Sequence, residues 1–185
     1  GIVQVLQLPF ASADELDRLG LPSDDPRRAT VRLANPLAET SPYLRTTLLP
    51  GLFAAVQRNT SRGNDDLALF EAGRVFFARE AGAAAPMPSV LERPSDEAIA
   101  ALFAALPDQP RRLACVLAGN WLPAGWQGGA EPASWTHAIA FAETAASVLG
   151  LTLDRTAAQM APWHPGRCAQ VRLAGPGDGL AIGYA

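Results

Sequence analysis

Residues 41–59, Ser-Pro-Tyr-Leu-Arg-Thr-Thr-Leu-Leu-Pro-Gly-Leu-Phe-Ala-Ala-Val-Gln-Arg-Asn, hold an apolar, helix-like stretch with an arginine at its start and a proline inside it. A membrane span or a coiled-coil seam tolerates neither residue there. Proline lacks the N–H that a helix interior needs, but it is well placed in the first turn, where that N–H has no partner. The spacing therefore predicts a helix that begins at Pro50, with Leu52, Phe53 and Val56 on its apolar face, and ends between Asn59 and Gly63. Elsewhere, too, the apolar runs fall far short of the ~20 residues a spanning helix requires.

The flanking segments read in the same way. Residues 2–8 alternate like a strand, and residues 30–36 form a short strand that ends at Pro36. Residues 12–20 form a helix with Ser12 as its cap, Glu15 completing a capping box and Gly20 as its stop. A strand rich in Phe and Val covers residues 67–79. Residues 79–94, rich in Ala, Pro and Gly, read as a connection. A helix capped by Ser95 carries Asp96 and Glu97 in its first turn. A buried strand at 112–119 and a loop at 120–134 come next. A second long helix runs from its cap, Ser134, to its stop, Gly150. Strands at 151–160 and around 168–173 lead through Gly-Pro-Gly-Asp-Gly, a tight turn, to a last strand near 180–185. Helices and strands mixed in this way, with late hairpin-like links, predict an α+β fold, a mainly antiparallel sheet flanked by helices.

Composition narrows the function. At 185 residues the chain fits a single domain, and 49% apolar residues is ordinary for a globular protein. The net charge of −3 argues against this piece alone gripping nucleic acid by a broad basic face. All 15 basic residues are arginine, so no lysine is present for a Schiff base or a phosphate loop. Cys115 and Cys168 form no CxxC pair, which fits a cytoplasmic setting better than a disulfide framework. The chain starts without a secretory signal, and its ends read as those of a piece of a longer chain.

Few residues suggest chemistry. His164 and Cys168, four apart, are a conceivable nucleophile pair, and hence a hydrolase, although their turn scatters the side chains. His164 reads instead as a hydrogen-bond donor to a carbonyl at a strand entry. His137 is distant, and two histidines with two cysteines make a poor zinc site. Arg45 suits a bidentate clamp on phosphate or carboxylate, or else a structural pair with Glu39 or Glu71. Glu71, flanked by Phe70 and Ala72, needs a cationic partner if it is buried, supplied by Arg45 or Arg74. Trp121, Trp126, Trp135 and Trp163 lie around loops, as anchors for a partner or as lids on the core.

Taken in order, these segments resemble a known family. Asn35, Pro36 and Leu37, then Leu-Arg-Thr-Thr-Leu-Leu-Pro-Gly-Leu at 44–52, Asn59, and Phe-Glu-Ala-Gly at 70–73 are similar to the bacterial phenylalanyl-tRNA synthetase beta chain. So is His164, Pro165, Gly166 and Arg167, followed by Ala169 and the closing Ile-Gly strand. The chain departs from the family at the late helix, where an acidic-aromatic, Lys-Gly segment is usual. The resemblance implies one domain over 1–185, with the class II aminoacyl-tRNA synthetase-like fold. It also implies a ligase of two alpha and two beta chains that joins phenylalanine to tRNA-Phe with ATP and Mg²⁺, and no membrane. In that family the alpha chain holds the aminoacylation site.

Class II chemistry uses an Arg-x-Glu strand and a late Gly-x-Gly-x-x-x-Arg segment to hold ATP. Here the strand reads Phe-Glu-Ala-Gly, and no such late segment exists. Without those cations, charge developing on the phosphates has no fixed partner. The expectation is a non-catalytic domain that binds no cofactor or metal of its own and assembles with alpha. On that reading Asn35, Pro36, Arg45, Pro50, Asn59, Glu71, Gly73, His164, Pro165, Gly166 and Arg167 serve structure or interface. The alternative is a stand-alone binding or regulatory module derived from the same fold.

Overall fold

A computed structural model of the chain describes residues 1–79, 87–126, 128–175 and 179–185. Its centre is an antiparallel strand pair, β5 (Leu67–Arg74) with β6 (Arg111–Ala118), in register from Leu67 opposite Ala118 to Arg74 opposite Arg111. A short strand, β1 (Val3–Gln4), joins the far edge of β5 in parallel. The pairing is brief because only Val3 and Gln4 meet Leu69 and Phe70, with one further bond from Val5 N–H to Phe70 O at 2.8 Å. The strand expected over residues 2–8 is thus much shorter, and Leu6 and Leu8 lie exposed.

Side chains along a strand alternate between faces, so β5 presents Leu67, Leu69, Glu71 and Gly73 to one side and Ala68, Phe70, Ala72 and Arg74 to the other. Helix α2 (Leu49–Thr60) covers the first side. Leu52 and Ala55 pack there on Leu69, with Val5, Val56, Leu67, Ala114 and Val116 around them. Leu52 is fully buried, which contributes about 1.5–3 kcal/mol. Phe53, expected on this face, points outward instead, because the buried stripe runs through Leu52, Ala55 and Val56. Pro50 sits in the first turn, as its missing N–H dictates. Helix α4 (Trp135–Val148) covers the second side, where Phe141 meets Phe70 with ring centroids 5.9 Å apart.

Smaller elements surround this sandwich. Strands β2 (Phe10–Ala11), β4 (Tyr43–Leu44) and β3 (Val31–Arg32) form one antiparallel sheet, with β4 in the middle. Helix α1 (Asp14–Arg18) begins after Ala13, not at a Ser12 cap. The Ser12 hydroxyl is turned to the Asp14 carboxylate, which leaves no capping box with Glu15. Helix α3 (Asp96–Ala104) starts as expected, with Ser95 Oγ accepting from Ala98 N–H at 3.2 Å.

Residues 120–134, expected as a loop, contain a small hairpin of β7 (Asn120–Leu122) and β8 (Glu131–Pro132). Strand β6 is half-buried at best rather than buried, since α2 and α4 leave its Arg111 end uncovered. Strands β9 (Leu153–Ala158), β10 (Cys168–Leu173) and β11 (Ala181–Tyr184) form a third antiparallel sheet in the order β11-β10-β9. The centre of the Gly-Pro-Gly-Asp-Gly turn and residues 80–86 of the Ala/Pro/Gly connection lie outside the described residues. Apart from the parallel β1–β5 pair, every named strand pairing is antiparallel, so the α+β expectation holds. No helix among the described residues is long and apolar enough to cross a membrane.

Candidate functional site

Three residues singled out in the sequence meet on the α2 side of β5. Arg45 follows β4 directly, and its backbone is held on both sides: its N–H donates to Pro9 O at 2.9 Å, and its carbonyl accepts from Phe76 N–H at 2.9 Å. This fixes the base of a side chain that crosses β5. The guanidinium Nε donates to Arg74 O at 3.0 Å, and Nη1 lies 2.7 Å from Glu71 Oε1. Arg45 is 9% exposed and Glu71 1%, so the ion pair is out of water.

The approach of Nη1 to Oε1 is not aligned as a directed hydrogen bond. The contact is charge against charge, and Nη1 and Oε2 have no hydrogen-bond partner among the described residues. Glu71 Oε1 is also within 3.5 Å of Gln7 N–H.

Gly73 makes the crossing possible. A Cβ there would collide with Arg45 Nη2 and lie 3.1 Å from Glu71 Oε1 and 3.2 Å from Leu48 Cδ2. Any side chain at 73 would displace the guanidinium. Sequence reasoning paired Arg45 with Glu71 or Glu39; the structure selects Glu71. It missed the steric demand at Gly73, whose signal is a glycine two residues after a buried acid on the same strand face.

A half-open hollow of about 240 Å³ lies beside this pair, lined by Gln7, Leu8, Phe10, Glu15, Arg45 and Thr47, with Pro50, Gly51 and Ala54 from α2. The guanidinium at its wall is already matched by Glu71. That is a poor setting for a phosphate, which would have to compete with a buried carboxylate.

The other candidates are scattered. Asn35 is exposed and Pro36 half-buried, before β4. Asn59 binds its own helix, its amide donating to Ala55 O at 2.8 Å. His164, Pro165, Gly166 and Arg167 form an exposed turn before β10. Gly166 has φ +81°, a conformation that favours glycine. The His164 carbonyl accepts from Arg167 N–H at 2.9 Å, whereas its imidazole makes no hydrogen bond to a carbonyl among the described residues. Cys168 is buried while His164 is exposed, and no hydrogen bond joins them among the described residues, so the nucleophile pair is not assembled. Burial raises the Cys115 thiol to about 11.

His137 has a role that the sequence left unread. Its Nδ1 accepts from Ser134 N–H at 3.1 Å, while Nε2 lies 3.0 Å from Glu131 Oε1. Trp121 stacks on the ring at 4.7 Å. The ring is a helix cap held by β7 and β8, and a histidine three residues after a cap serine was the available signal. Trp163 meets Tyr184 at 5.7 Å, whereas Trp126 and Trp135 are exposed, so the four tryptophans divide between packing and surface. A second pair, Arg27 Nη2 with Asp25 Oδ2 at 2.7 Å, was also missed. The Arg27 guanidinium holds the Asp25 carboxyl below the usual carboxylate range.

Residues 1–185 match the family described as the phenylalanyl tRNA synthetase beta chain CLM domain. Relatives named phenylalanine–tRNA ligase beta subunit are 56% identical in Cutibacterium acnes, 52% in Thermobifida fusca and 49% in Streptomyces avermitilis. Each alignment covers 100% of this chain and 22% of the relative, so the chain spans about a fifth of their length. Among solved structures, pyrrolysyl-tRNA synthetase from Desulfitobacterium hafniense matches 95% of this chain and 50% of its own. The TM-score is 0.54 at 14% identity, a likeness of fold alone. The fold is that of the class II synthetases, as the resemblance implied.

Proposed function

The chain belongs to the phenylalanyl tRNA synthetase beta chain family, as its CLM domain, and from that premise we propose that it is a non-catalytic, synthetase-like part of phenylalanine–tRNA ligase. Its task is assembly with the alpha chain, two of each in the complete enzyme, which joins phenylalanine to tRNA-Phe. The observation that carries the reading is the Arg45–Glu71 pair. A synthetase site needs an arginine free to meet phosphate, and the guanidinium on this strand face is instead matched by a buried carboxylate.

On this reading ATP and Mg²⁺ belong to the alpha chain. One further feature supports assembly with a partner. Leu6 is 82% exposed and Leu8, which lines the hollow near α2, is 74% exposed, an apolar surface suited to burial by a partner.

Co-expression of the beta chain carrying this segment with the alpha chain tests the proposal. Co-elution, with phenylalanine-dependent pyrophosphate exchange in the complex and none in this segment alone, is expected. Elution of the two chains apart favours a stand-alone binding module instead, and exchange by the segment alone overturns the non-catalytic reading.

A further inference from the structure

We propose that Arg74 and Arg111 together bind a phosphate of an RNA backbone; the choice of RNA rests on the ligase reading above. The register of the central strand pair sets these two residues directly opposite each other where β5 ends and β6 begins. Directly opposed residues share a face, here the one that carries Phe70, with Cβ atoms roughly 4.5–5.5 Å apart. Both are exposed. Like charges opposed in this way destabilise a strand pair, so the arrangement is costly unless an anion joins it.

No such anion comes from the described part of the chain. Arg18, Arg27, Arg28, Arg45, Arg79 and Arg155 each meet a carboxylate within 3.1 Å. Arg74 and Arg111 meet none among the described residues. The side chain of Arg74 makes one hydrogen bond, from Nη1 to Gln109 O at 3.2 Å, and that neutralises nothing. Arg112, next along β6 and exposed, adds a third positive charge on the opposite face. In a chain of net charge −3, this concentration is local rather than general.

The shape of the anion follows from the geometry. A carboxylate is planar and satisfies one guanidinium fork, which would leave the opposed arginine uncompensated. A phosphodiester is tetrahedral and offers non-bridging oxygens in two directions, so one group accepts from both forks. Contact to backbone phosphate carries no base sequence, and its signature is dependence on salt.

The test uses the assembled alpha–beta ligase with Arg74→Gln and Arg111→Gln together. Glutamine keeps much of the aliphatic stem and removes the charge. We expect the KM for tRNA to rise on the order of tenfold, and the log–log salt dependence of tRNA binding to flatten by about two. Phenylalanine-dependent pyrophosphate exchange without tRNA should not change. The melting temperature should hold or rise, because the opposed charges are gone, and the Arg→Lys pair should keep most of the salt slope. An unchanged tRNA KM and slope would overturn the proposal. Loss of the alpha chain on purification would also overturn it, by making the pair a contact for an acidic protein surface. If the unaltered complex lacks phenylalanine-dependent exchange, the ligase reading fails, and filter binding of tRNA to both forms still decides the role of the pair.

Discussion

Arg45 and Glu71 bury opposite charges where neither is stable alone. Removing one partner strands the other in a dry interior, which costs about 3–5 kcal/mol, whereas replacing both with apolar groups of similar volume is often neutral or better. Arg45→Ala should therefore lower stability by about that amount in urea denaturation, and Arg45→Met with Glu71→Leu should recover most of it. Equal loss in the single and double variants would show that the pair is not the source. Gly73→Ala should cost about 1–3 kcal/mol by pushing the guanidinium off the carboxylate. In the Met/Leu background that penalty should shrink, and a full penalty there would place the strain elsewhere. The pair itself was legible, since a lone acid in an apolar strand demands a cation. Which acid Arg45 would take was not, because the choice depends on β4 delivering Arg45 across β5, a contact 26 positions apart in the chain.

At the scale of elements, local chemistry was read well and long-range coverage poorly. Ser95, Ser134, Pro50 and Gly150 mark helix ends because caps and breakers act within a few residues. Ser12 failed as a cap because its hydroxyl found Asp14 first. Strand β6 read as buried from its apolar run, yet burial depends on how far α2 and α4 reach along it, which no local pattern encodes. Phe53 misled for the same reason.

Cys115, on β6 opposite Phe70, gives a pH test of that packing. Burial favours its neutral thiol and raises it from 9.0 to about 11. The folded chain thus holds the proton where the unfolded chain releases it. This contribution to stability is present below pH ~9 and is lost as pH rises toward 11. Alkylation of Cys115 in the folded protein should stay slow at pH 9 and accelerate only near pH 11. Fast alkylation at pH 8.5, at the rate of a free thiol, would contradict the packing between β5, β6 and α4.

Across the whole molecule, a class II synthetase-like body holds Arg45 buried against Glu71 and keeps exposed apolar surface near α2. The family was legible because its motifs fall in order along the chain. The Arg74–Arg111 pair was not, because the register between two strands so far apart in the chain appears only once β5 and β6 are aligned. The central claim, that Arg45 is a strut and takes no part in chemistry, is tested most directly by pyrophosphate exchange in the alpha–beta complex carrying Arg45→Met with Glu71→Leu. The account predicts phenylalanine-dependent exchange within about twofold of the unaltered complex, since the buried pair is replaceable by apolar groups. Exchange reduced by about a hundredfold or more in a folded, fully assembled complex, the loss expected when a catalytic charge is removed, would contradict it.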